Sequence, residues 1–184
     1  PLTENPGDWR CGVLTGAGNQ AFCAGSDLKE RKGLGAEAWR AQHELFERAF
    51  WALGDLPLPV IAVVNGPAYG GGLELALMCD FIYAVRSARF ALTEVSLGII
   101  PGAGGTQNLP RAVGERRAKE LIMTARPFSA EDACAWGMVN RICQADELMP
   151  AVIEIARTIC ANPPIPVRQA KKAEYEQGGA KLTY

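Results

Sequence analysis

The chain has 184 residues, of which 48% are hydrophobic and 21% charged, with a formal net charge of −1. That length suits one domain, residues 1–184, with a sizeable core. The near-zero charge excludes a global field for nucleic acid or a membrane surface, and no apolar run is long enough to span a bilayer.

No basic start precedes an apolar stretch, so no signal peptide is expected. The six cysteines (Cys11, Cys23, Cys79, Cys134, Cys143 and Cys160) contain no C-x-x-C pair. They read as free thiols in a reducing compartment rather than as a disulfide framework. His43 is the only histidine, so a zinc site is not expected. The chain opens on Pro1, and its last residues carry no helix stop signal. Segments at both ends are therefore expected to be missing.

In chain order, Cys11-Gly12-Val13-Leu14-Thr15 reads as a strand closed by Gly16-Ala17-Gly18-Asn19. A loop of small residues follows, from Ala21 to Lys29. Residues 37–56 have helical spacing, with Trp39, Phe46, Phe50 and Leu53 predicted to face the core. His43 lies near that stripe and reads as a hydrogen-bonded core residue. Leu56-Pro57-Leu58-Pro59 stops the helix. The run Val60-Ile61-Ala62-Val63-Val64 then reads as a buried strand.

It leads into Asn65-Gly66-Pro67-Ala68-Tyr69-Gly70-Gly71-Gly72-Leu73-Glu74, the stretch around which the chain is organised. Three successive glycines cost backbone entropy, which suggests a conformation or a closeness that a Cβ would block. A helix starting there aims unpaired N–H groups at its neighbour. Glu74 lies in its first turn among aliphatics, where burial should push its pKa up. Two readings stand. Glu74 and the N–H groups form a catalytic arrangement, or the glycines serve packing while Glu74 caps its own helix.

Short strands are predicted over residues 81–85 and 89–92, with Glu94 directly after them. The second glycine cluster, Pro101-Gly102-Ala103-Gly104-Gly105-Thr106-Gln107, lacks the lysine of a Walker loop and reads as a tight turn before a helix. Helices are expected over residues 115–124, 130–137, 150–160 and 166–177, with a capping box at Ser129-Ala130-Glu131-Asp132. A short strand is expected over 139–142. The charges of the last helix read as a solvated face. Strands alternating with helices indicate an α/β class.

Three stretches carry a family resemblance. Ala21-Phe22-Cys23-Ala24-Gly25-Ser26-Asp27-Leu28-Lys29 resembles the first signature of the crotonase (enoyl-CoA hydratase/isomerase) superfamily. The stretch from Ile61 through Asp80, with Gly70-Gly71-Gly72-Leu73-Glu74-Leu75-Ala76 at its centre, resembles the second. Leu97-Gly98-Ile99-Ile100-Pro101-Gly102-Ala103-Gly104-Gly105-Thr106-Gln107 resembles the third. Two positions differ from common family usage: Ser26 stands where alanine is frequent, and Asn108 where arginine is.

The resemblance implies a crotonase-like spiral of ββα repeats with C-terminal helices, binding acyl-CoA as a homotrimer or a dimer of trimers. It implies an enoyl-CoA hydratase of fatty acid β-oxidation, in the bacterial cytoplasm or the mitochondrial matrix. Glu74 and Glu94 match the family's acid/base pair. The backbone N–H groups of Ser26 and Gly71 match its oxyanion hole. Ala24, Ser26, Asp27, Leu28, Lys29 and Gly71 match positions that contact the substrate and its CoA moiety. No metal and no cofactor beyond the coenzyme A thioester is implied. An isomerase or dehydratase using the same enolate is the near alternative. Some relatives bind RNA, but the basic segment Lys29-Glu30-Arg31-Lys32 reads as a solvated loop or a contact to CoA phosphates, so nucleic acid is not expected.

Overall fold

The computed structural model describes residues 7–177. The elements are β1 (Gly12–Thr15), α1 (Leu28–Lys32), α2 (Ala36–Gly54), β2 (Val60–Val64), β3 (Ala68–Tyr69), α3 (Gly71–Leu77), β4 (Phe81–Val85) and β5 (Arg89–Ala91). A 3-10 turn, Glu94–Leu97, precedes α4 (Gly105–Val113), α5 (Glu115–Thr124), β6 (Phe128–Ser129), α6 (Ala130–Ala135), β7 (Arg141–Cys143), α7 (Ala145–Ala161) and α8 (Pro164–Gln177).

Two sheets stack as the chain winds. The larger has order β1-β2-β4-β7 and is parallel throughout. The smaller has order β3-β5-β6, with β3 parallel to β5 and β6 antiparallel. Two windings, β2-β3-α3 and β4-β5-α4, each add one strand to each sheet and then a helix, the ββα unit of the spiral. Parallel pairing forces a long crossover between neighbouring strands, and the helices supply it. Because helices cover β2, all five of its residues are buried, and it reads as a continuous apolar run rather than an alternation. The core centres on this strand with Leu73, Ile82, Phe90, Leu92, Leu109 and Val152.

Several sequence expectations shift. The helix α7 begins at Ala145, five residues before the expected start. Its capping box of Gln144 and Glu147 is a weaker signal than a serine cap, and Pro150 drew the boundary inward. The strand β7 is displaced to 141–143. On α2 the predicted core face is buried only in part: Leu53 packs against the core, but Trp39 is 43% exposed and Phe46 38%. Helical spacing identifies a common face, but not what covers it. His43 is likewise only partly buried; it stacks on Trp39 and pairs with Glu47 instead of entering the core. The charges of α8 are not all solvated either. Lys171 is largely buried, with its Nζ 2.8 Å from Asp80 Oδ2 and donating to the Leu58 carbonyl. All six cysteines are free thiols. Among the described residues no helix is long and apolar enough to cross a membrane.

The glycine joint is held by backbone contact. A Cβ placed on Gly72 would lie 2.0 Å from the Cys23 carbonyl oxygen, so the start of α3 is pressed directly onto the loop that follows β1. At Gly33 a Cβ would meet nothing within 4 Å. Gly72→Ala in the full-length protein should therefore cost about 3 kcal/mol, whereas Gly33→Ala should stay within about 0.5 kcal/mol. Chemical denaturation midpoints of the two variants check this difference.

Candidate active site

The parallel strands β2 and β4 deliver the chain to one edge of the sheets, and the candidate site lies where β3 gives way to α3. Gly70 takes φ +54°, and its N–H donates to the Ala91 carbonyl at 2.8 Å, which ties the turn to β5. Its positive φ is a conformation that residues with a Cβ rarely adopt. The same turn faces Glu94: a Cβ on Gly70 would lie 3.2 Å from Glu94 Oε1 and 3.6 Å from Thr93 Oγ1. Glu94 therefore overhangs the turn that opens α3.

Glu74 is 3% exposed, and it does not cap its own helix. Its Oε1 accepts hydrogen bonds from the backbone N–H groups of Ala103 and Gly105, both at 2.8 Å. The second glycine cluster does cradle an anion at the start of a helix, but the anion is this internal carboxylate rather than a bound phosphate. A Cβ on Gly105 would lie 2.9 Å from Glu74 Oε1, so only glycine lets the turn close on the carboxylate.

Burial raises the Glu74 carboxyl above the ordinary carboxylate range, and its two N–H donors oppose that shift by favouring the ionised form. Glu94 is 8% exposed, and its Oε2 is buried without a hydrogen-bond partner among the described residues. Its pKa is also raised, first by burial and further by the nearby Glu74 charge, against a lowering by its own backbone N–H. The Glu74 charge thus bears on the Glu94 carboxyl.

The loop of the first motif abuts the same turn. A Cβ on Gly25 would lie 3.4 Å from the Gly71 nitrogen. No acceptor among the described residues takes the N–H of Ser26 or of Gly71. Ser26 is partly buried beside this joint, while Asp27, Leu28 and Lys29 are exposed. The Asp27 carboxylate accepts from the Lys29 and Glu30 N–H groups at 2.8 and 3.4 Å, and so caps α1. Ala24 lies on the surface of the same loop.

Two contributors escaped the sequence reading. The N–H donors of Ala103 and Gly105 act through the main chain, which side-chain patterns do not reveal. The helix α2 lies over the site, with Phe50 Cζ 4.0 Å from the place of a Cβ on Gly71. A cavity of about 760 Å³ lies elsewhere, where β2 and β4 begin, between Met78, Asp80, Arg111 and Lys171. It contains neither glutamate.

The arrangement joins two interacting buried carboxylates to two unengaged backbone donors, which suits proton transfer beside a developing oxyanion. The family model described as enoyl-CoA hydratase/isomerase matches residues 3–181. The chain belongs to the enoyl-CoA hydratase/isomerase family. It is 44% identical over 170 residues to the short-chain-enoyl-CoA hydratase of Clostridium acetobutylicum, covering 92% of this chain and 65% of that protein. It is 43% identical over 164 residues to the crotonyl-CoA hydratase of Syntrophomonas wolfei, covering 89% and 63% respectively. The crystal structure of an enoyl-CoA hydratase from Bacillus anthracis superposes with a TM-score of 0.89 at 49% identity, over 94% of this chain and 67% of that one. The chain therefore spans less than two thirds of the length of these two curated relatives.

The raised pKa values make a stability prediction. A carboxyl whose folded pKa lies above its unfolded value binds more protons when folded, so stability falls as pH rises past the unfolded value. Glu94→Gln removes that penalty. Its melting temperature should exceed that of the native protein at pH 8, and the gain should shrink towards zero at pH 4.5. Calorimetry at the two pH values checks it.

Proposed function

We propose that the full-length protein is an enoyl-CoA hydratase, adding water across the double bond of a 2-enoyl-CoA thioester. The observation that supports this most is the pair of buried, interacting carboxylates, one held by two N–H donors and the other with an unpartnered oxygen. Glu74, whose donors favour its ionised form, takes a proton from water. The resulting hydroxyl oxygen bonds to C3 of the substrate. The C2–C3 π electrons move towards the thioester, and negative charge gathers on its oxygen. The N–H groups of Ser26 and Gly71 hold that charge; one such donor is typically worth about 3–4 kcal/mol. Glu94, whose environment favours the protonated acid, delivers its proton to C2. The cycle ends with Glu74 protonated and Glu94 ionised, and proton exchange with solvent restores the pair.

In this reading Ala24, Asp27, Leu28 and Lys29 line the path of the CoA moiety, and no metal or redox group takes part. The protein works as a homotrimer or a dimer of trimers in a reducing compartment, the bacterial cytoplasm or the mitochondrial matrix, and serves fatty acid β-oxidation. The closest competing reaction is isomerisation of a 3-enoyl-CoA through the same enolate. The retention of both carboxylates favours water chemistry over it.

Crotonyl-CoA should lose its enoyl absorbance when the full-length protein is added, and faster turnover of a 3-enoyl-CoA would favour the isomerase. Glu94→Gln should lower kcat by about 10²-fold or more.

Gly71 offers an independent test. A Cβ there would meet only Gly25 Cα at 3.9 Å and Phe50 Cζ at 4.0 Å, both ordinary contacts. Gly71→Val should therefore remain folded while losing nearly all turnover. Melting temperature and turnover measured on one preparation decide this. A large drop in melting temperature with turnover per folded molecule retained would assign Gly71 to packing.

A further inference from the structure

We propose that His43 closes the far end of the acyl site and restricts it to short acyl groups; this rests on the acyl-CoA reading above. The helix α2 touches the site at two places. Phe50 Cζ lies against Gly71, and His43 Cε1 lies 3.9 Å from the place of a Cβ on Gly102. These residues are seven apart, two turns of one helix face, or ~10 Å along the axis.

The chemistry gives the acyl group a direction. Its carbonyl oxygen meets Gly71, and its C2 and C3 must come next to the carboxylates. Glu74 is held by Ala103 and Gly105, immediately beyond Gly102 in the chain. Carbons past C3 therefore run under α2 towards the 102–105 turn, where His43 stands.

The imidazole is held from two sides. It stacks on Trp39 with ring centroids 5.0 Å apart and planes 17° off parallel. Its Nε2 lies 3.3 Å from Glu47 Oε1. A ring so held does not give way easily to a longer chain. A second effect acts in the same direction. Alkyl carbons pressed on this pair displace its water without offering a hydrogen bond, which is unfavourable. A short tail ends before reaching it.

Binding of saturated acyl-CoAs tests this without turnover. Butyryl-CoA and decanoyl-CoA are titrated calorimetrically into the full-length protein and two variants, with folding checked by circular dichroism. His43→Ala, a good helix former, should raise the ratio of decanoyl to butyryl affinity by about tenfold, the scale at which hydrophobic pockets discriminate chain length. His43→Trp should lower the ratio. A ratio unchanged within about twofold in the folded variants, on that scale, would overturn the role of His43 and leave the acyl-CoA reading intact. If the folded native protein binds neither thioester, the acyl-CoA reading fails and the inference with it.

Discussion

The arrangement rests on a buried carboxylate held by main-chain donors. Glu74 lies in the first turn of α3, and the two N–H groups that hold it come from the turn that opens α4. Ionised carboxylates are costly to bury, and charge-assisted hydrogen bonds are among the few compensations available. Two helix starts separated by some thirty residues are thereby pinned to each other through one side chain. Glu94 completes the centre because its carboxylate lies over the glycine turn beginning the same helix. The surroundings of the two groups are unequal, two donors on one and an orphaned oxygen on the other, while burial raises the pKa of both.

Glycine makes such close approach possible. At Gly72 the chain after β1 presses its Cys23 carbonyl into the space where a side chain would begin. At Gly105 the main chain closes on Glu74 itself. A Cβ in either place would hold the segments apart, and donors that must be within hydrogen-bond reach would lose it. The parallel strands matter too, since each must be joined to the next by a long crossover, and the glycine turns lie in those crossovers.

The helix α2 shows how one apolar stripe can serve a site rather than a core. Trp39 and Phe46 remain partly exposed, while Phe50 and His43 reach the two glycine turns. Away from the site, the ion pair of Lys171 and Asp80 anchors α8 to the start of β2, where Asp80 also accepts the Val60 N–H. The two regions are thus built differently: one around paired carboxylates, the other around a satisfied salt bridge.

Much of this was legible in the amino-acid order. Local signals placed β1, β2, β4, α5 and the Ser129 cap, because apolar runs, glycine turns and capping boxes act over a few neighbouring residues. The family resemblance implied roles for Glu74, Glu94, Ser26 and Gly71 together. The helix α7 begins five residues before Pro150, on a Gln144 and Glu147 cap that leaves only a weak mark in the sequence. Tertiary structure alone decided what Glu74 binds, since the Ala103 and Gly105 donors belong to the backbone and have no residue signature. It alone turned the α2 stripe towards the glycine turns and withdrew Lys171 from solvent. Periodicity tells which residues share a face; only the packing of distant segments determines what that face meets.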